Sequence, residues 1–151
     1  MKEESFFDSR AAILAAIPHR EPFLFIDEIT ELEDDHIVCH YRFKENEFFF
    51  KGHYPNSPIV PGVILCEAAM QAGAILVSRI LPQEDQTIDK IPVVGRMNDI
   101  KFRQIAKPGD RVELRACIKE KIAGAYFLSA KVLNNGKTSV SFDYAVTLID
   151  R

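Results

Sequence analysis

Several chemistries are thinly represented in this 151-residue chain, and each scarcity narrows the reading. Cysteine is scarce: Cys39, Cys66 and Cys117 are odd in number and widely spaced. Without a CxxC pair or metal-ligand spacing, they exclude a disulfide framework and fit reduced thiols in a cytoplasm. A large excess of charge of one sign is lacking too, and a net charge of −3 argues against nucleic acid as the main partner. No repeat, low-complexity tract or linker breaks the chain. A single domain over 1–151 is therefore expected, large enough to bury about two-thirds of its unfolded surface. The opening, MKEESFFDSR, has neither an apolar core nor a cleavage pattern, so no secretory signal is expected. The longest apolar run, 63–77, is short for a membrane span and carries Glu67, Gln71 and Gly73. A phosphate cradle is missing, because GVILCEAAMQAG reads as helix.

What is present is concentrated in residues 52–71, GHYPNSPIVPGVILCEAAMQ. Gly52, Pro55, Pro58 and Pro61 make a rigid, locally specified loop around His53. Pro61 sits at or next to the first helical position, where a missing N–H does no harm. The following helix carries two strongly polar side chains, Glu67 and Gln71, one turn apart on one face. A helix apolar nearly all round belongs inside a fold. A carboxylate there costs several kcal/mol unless it is protonated or paired. The pairing of a loop histidine with a helix glutamate reads as an acid and a base.

The rest of the chain is mostly strand. Residues 8–17 read as a short helix capped by Asp8 or Ser9 and ended by Pro18. Residues 22–29 and 36–43 read as strands, the second alternating with Ile37, Cys39, Tyr41 and Phe43 on one side. Pro82 is expected to stop the central helix. Four further strands are expected at 91–104, 111–122, 125–134 and 138–149. Turns at Pro108-Gly109-Asp110, Gly124 and Asn135-Gly136 divide them. An early helix followed by antiparallel-type strands predicts an α+β fold in which a sheet curls around one buried helix. One helix cannot cover both faces of such long strands, so an oligomer is expected.

The 52–71 block resembles the signature GHFPxxPxxPGVxxxEAxxQ of the β-hydroxyacyl-[acyl carrier protein] dehydratases of type II fatty acid synthesis. PHREPFLFID (18–27) is similar to that family's PHRxPFLxxD, and IKFRQIAKPGDRVEL (100–114) to its KFRxxVxPGDxL. Three blocks in the expected order cover roughly residues 10–149. Tyr54 stands where Phe is usual, and Asn56-Ser57 replace a pair in which Gly is common. The resemblance implies the hotdog fold, dehydration of (3R)-3-hydroxyacyl-[acyl carrier protein] to the trans-2-enoyl product, and no cofactor. It also implies a cytoplasmic homodimer or trimer of dimers, with His53 of one subunit meeting Glu67 of the other. The acyl carrier protein is the implied partner.

The chemistry fits these residue types. Elimination takes a Cα proton, which suits an imidazole, and protonates a departing β-hydroxyl, which suits a carboxylic acid whose pKa burial raises. Charge developing on the thioester oxygen needs donors. The free N–H groups of Gly62 and Val63, at the positive end of the helix dipole, are the candidates. Gln71 either orients Glu67 or bonds backbone. Arg96, Lys101, Arg103 and Lys107 gather near one strand end and would suit an acidic carrier and its pantetheine arm, or form a solvated face. His36 and His40, four apart on a strand, lie about 13 Å apart, too far to share a metal ion. His19 orders the N-terminal segment in this reading, and Cys66 is an inert core thiol. Three alternatives stay open: a hotdog thioesterase, a coenzyme A-ester hydratase and a non-catalytic acyl-binding module.

Overall fold

The computed structural model describes residues 10–84 and 90–150. Its elements run α1 (Arg10–Ala16), β1 (Glu28–Leu32), β2 (His36–Arg42), a 3-10 turn (Phe48–Lys51), α2 (Gly62–Glu84), β3 (Lys90–Phe102), β4 (Arg111–Ile122), β5 (Ala125–Asn134) and β6 (Lys137–Asp150). The six strands form one antiparallel sheet in the order β1-β2-β4-β5-β6-β3. The expected α+β arrangement is what forms.

Alternation along the strands decides which face meets α2. Val112, Leu114 and Ala116 on β4, and Tyr126, Leu128, Ala130 and Val132 on β5, are buried while their neighbours are partly or fully exposed. The helix answers with small side chains. Ala68, Ala69, Ala72 and Gly73 are buried, and they let the sheet approach closely. Register shifts at Ile118/Glu120, Val94/Arg96 and Asn98/Lys101 bend the strands, so the sheet curls instead of lying flat. By length and composition Gly62–Leu81 could cross a membrane, but 61% of that window is buried within the fold, as befits a core helix.

Turn chemistry holds where it was expected. Asn135 (φ 51°) and Gly136 (φ 76°) both take the left-handed conformation of a type I′ hairpin, and Ala123 (φ 51°) and Gly124 (φ 81°) do the same between β4 and β5.

Two expectations fail. Residues 22–27 are not strand, since β1 begins only at Glu28. The backbone of Phe23 and Phe25 bonds a side chain of α2, and contact with β2 begins only at Asp27, whose N–H donates to the His40 carbonyl at 2.9 Å. The helix also runs through Pro82 to Glu84. A proline removes one helical hydrogen bond and can kink a helix without ending it. Asp8 and Ser9, the expected caps of α1, lie outside the described residues.

Tyr144 shows how tight the contact between helix and sheet is. A Cβ at Gly73 would stand 1.9 Å from its hydroxyl. That hydroxyl is buried with no partner among the described residues. Burial first, and then the charge of Glu67, push the phenol well above its ordinary value, so it stays protonated. Replacing Tyr144 by Phe removes an unpaired buried hydroxyl. It should leave stability unchanged or raise it by up to about 1 kcal/mol, measured as a higher urea midpoint at constant m. A loss of about 2 kcal/mol or more would mean that the hydroxyl has a partner.

Candidate active site

The N-terminal segment is fixed by two side chains, one at each end. Arg20 donates to the carbonyls of Leu14 (2.9 Å), Ile17 (2.9 Å) and His19 (2.7 Å), closing the end of α1 and fixing the backbone at His19. Gln71, 1% exposed, accepts from Phe25 N–H at 2.8 Å and donates to the Phe23 carbonyl at 3.0 Å. These two bonds occupy backbone groups that a strand would have paired, so Phe23 and Phe25 stay out of the sheet. The same Gln71 amide donates its second hydrogen to Glu67 Oε1 at 3.1 Å. Gln71 thus bonds the backbone of Phe23 and Phe25 and the Glu67 carboxyl with one amide.

Glu67 is less enclosed than an all-apolar helix suggests. Its side chain is 24% exposed and ends among polar groups. Besides Gln71, His19 Nε2 stands 3.4 Å from Glu67 Oε1, while His19 Nδ1 is buried without a partner among the described residues. His19 is thus the site neighbour that sequence reading missed. Its signal, the PHREPF block, points only to a bend in the chain, and a contact across 48 residues leaves no periodicity to find. Cys66, next to Glu67, is 3% exposed, and burial pushes its thiol up to about 11, as an inert core thiol requires.

His53 occupies the loop before α2. Its Nδ1 lies 3.1 Å from the Ile59 carbonyl, which can only accept, so Nδ1 carries the hydrogen and Nε2 is left with its lone pair. The ring meets Tyr54 edge-on at 4.8 Å between centroids. Tyr54 takes a left-handed backbone (φ 54°), which is strained for an aromatic residue and is held by Ser57 N–H donating to its carbonyl at 2.9 Å. Val60 N–H bonds the Ala106 carbonyl at 2.8 Å and anchors the end of the loop to the segment after β3. Among the described residues, His53 and Glu67 of one chain are not within ion-pair distance of each other.

At the start of α2, Ile64 and Leu65 N–H bond the Pro61 carbonyl, whereas Gly62 and Val63 N–H have no hydrogen-bond partner among the described residues. Gly62 is needed for space. A Cβ there would meet the Phe102 ring at 2.6 Å.

The four basic candidates lie on β3 and in the segment after it. Lys101 and Arg103 line a groove of about 1010 Å³ on the sheet face away from α2, together with Arg115 and Lys131, whereas Arg96 and Lys107 lie outside it. That groove contains neither His53 nor Glu67. His36 is paired with Glu31 (2.7 Å) and Asp35 (2.8 Å), and His40 faces Thr30 (3.3 Å) and Glu113 (3.7 Å), so the two histidines have separate partners. Among the described residues no cluster of three or more metal-ligating side chains occurs.

A six-stranded antiparallel sheet curled around one long helix is the hotdog fold. Solved chains share it: the dehydratase heterocomplex ApeI:P from Xenorhabdus doucetiae has a TM-score of 0.76 at 11% identity, covering 92% of this chain and 91% of that one. The TT0310 protein from Thermus thermophilus has a TM-score of 0.62 at 19% identity, covering 85% and 97%. Residues 17–143 match the family model of the FabA-like domain, and the chain belongs to that family. It is 37% identical over 147 residues to the 3-hydroxyacyl-[acyl-carrier-protein] dehydratase FabZ of Protochlamydia amoebophila, covering 92% of this chain and 88% of that protein. It is 43% identical over 112 residues to the FabZ dehydratase of Clostridium botulinum strain Okra, covering 74% of each.

The Gln71 amide is the structural link of the site, and its removal can be measured. Gln71→Leu, of similar size, leaves Phe25 N–H and the Phe23 carbonyl unpaired. It should cost about 2–4 kcal/mol in urea unfolding and raise amide exchange at Phe25 selectively. Unchanged exchange at Phe25 would show that the segment is held by packing alone.

Proposed function

We propose that this protein is a 3-hydroxyacyl-[acyl-carrier-protein] dehydratase, a hydro-lyase that converts (3R)-3-hydroxyacyl chains to trans-2-enoyl chains in fatty acid biosynthesis. The observation that carries this is the order of parts along one stretch: a base-ready His53, a helix start with two free N–H groups, and Glu67 one turn further on, all within the FabA-like match. His53 Nε2 takes the Cα proton. The electron pair moves through the enolate, the C3–O bond breaks, and the Glu67 proton leaves with the hydroxyl as water. The N–H groups of Gly62 and Val63 hold the thioester oxygen while it carries charge. Every electron and proton is accounted for without a cofactor.

The two acid–base residues come from different subunits in this reading. It is supported by their separation within one chain and by β3, a 13-residue edge strand at the end of the sheet order, with Val94, Ile100 and Phe102 exposed. A long apolar edge is a template for pairing with a second copy. The assembly is a homodimer, which can be repeated as a trimer of dimers. The acyl carrier protein is the partner, and the exposed cations Arg96, Lys101, Arg103 and Lys107 attract its acidic surface at long range. The free thiols Cys39, Cys66 and Cys117 suit a cytoplasmic setting.

His53→Ala and Glu67→Gln should each lower the dehydration rate by about 10²–10⁴-fold while circular dichroism stays unchanged. When the two inactive variants are unfolded and refolded together, half the dimers are mixed and each carries one intact site. About a quarter of wild-type activity should then return if the sites act independently. No recovery despite proven subunit exchange would place each site within one chain. A folded variant keeping more than about a tenth of the wild-type rate would remove that residue from the chemistry.

A further inference from the structure

We propose that His19 is a positioning residue: its Nε2–H, together with the Gln71 amide, holds Glu67 Oε1 and so presents Oε2 as the oxygen that carries the transferred proton. The inference deepens the reading of Glu67 as the acid and rests on it. Three observations converge. His19 Nε2 is 3.4 Å from Glu67 Oε1, within ion-pair distance but not yet a hydrogen bond, and bonds between catalytic groups often tighten only when substrate is bound. Gln71 Nε2 donates to the same oxygen at 3.1 Å, so both donors converge on Oε1 while Oε2 has no protein partner among the described residues. His19 Nδ1 is buried and unpartnered among the described residues. A buried N–H left unpaired is rarer and costlier than an unpaired acceptor, so the hydrogen belongs on Nε2, the ring nitrogen beside Glu67.

His19 itself exchanges no proton. A carboxyl pinned through one oxygen cannot swing, and its second oxygen keeps the orientation that the departing hydroxyl needs. The backbone at His19 is fixed in turn by Arg20, whose guanidinium donates to the His19 carbonyl at 2.7 Å. Tyr144, the other titratable group facing Glu67, lies on the sheet side and holds no bond to it. The PHR block thereby acquires a purpose beyond ending α1.

Variants at position 19 separate donation from bulk. Gln places an amide N–H at about the reach of Nε2, Asn places one at about the reach of Nδ1, and Leu supplies neither. With 3-hydroxybutyryl-acyl carrier protein as substrate, His19→Leu and His19→Asn should lower kcat about tenfold with KM within about twofold, and His19→Gln should restore kcat to within about threefold of wild type. Adding His19→Leu to Glu67→Gln should lower the residual rate no further, because the group it positions is gone. In the intact wild-type protein labelled with ¹⁵N-histidine, His19 should show the Nε2–H tautomer; the Nδ1–H tautomer would overturn the proposal without any variant. Full activity in His19→Leu and His19→Asn would also overturn it, as would a loss equal in all three variants. Glu67→Gln, run in parallel, distinguishes the failures. If it is inactive while His19→Leu is not, only the role of His19 falls; if it is active, the reading of Glu67 falls first.

Discussion

One buried amide connects the parts of this molecule on which a chemical reading depends. Gln71 uses three of its four hydrogen-bonding positions, on the Phe23 carbonyl, the Phe25 N–H and the Glu67 carboxylate. An amide 1% exposed cannot leave such positions empty without losing more than the bonds give. The N-terminal segment, the central helix and the glutamate therefore move together or not at all. This constraint explains why Phe23 and Phe25 stay out of the sheet. It also explains why Glu67 holds a definite orientation although a quarter of its side chain reaches solvent.

The other half of the site follows a different logic. His53 is held by loop geometry: a carbonyl at Nδ1, a strained Tyr54 beside it and a backbone tie at Val60. Strain of this kind persists only where the surrounding structure over-determines it, and such places are commonly functional. Between the two halves along the chain stands the first turn of α2, where Gly62 lies under Phe102 and two N–H groups remain free among the described residues. An electrostatic site needs donors aimed in advance at developing charge, and a helix start offers them without reorganisation.

Much of this was legible in the sequence. Period-two alternation marked β2, turn chemistry at Pro108-Gly109-Asp110, Gly124 and Asn135-Gly136 divided β4 to β6, and the loop and helix of residues 52–71 drew attention to His53, Gly62 and Glu67. What escaped shares one physical cause. The strand expected at 22–29 and the missed contact of His19 both concern backbone or side chains whose partners lie far along the chain. Propensity and periodicity describe neighbours. They contain nothing of a glutamine that satisfies backbone 46 and 48 residues away, or of an imidazole facing a carboxylate across a similar gap.

The central claim is that this site eliminates water from an acyl thioester and leaves the thioester bond whole. Intact-mass analysis of (3R)-3-hydroxybutyryl-acyl carrier protein incubated with the pure protein tests it most directly. The account predicts an equilibrium with a carrier species lighter by one water, the 2-enoyl form, with the acyl group still attached. A free carrier thiol together with released 3-hydroxy acid would contradict it and assign the site to hydrolysis.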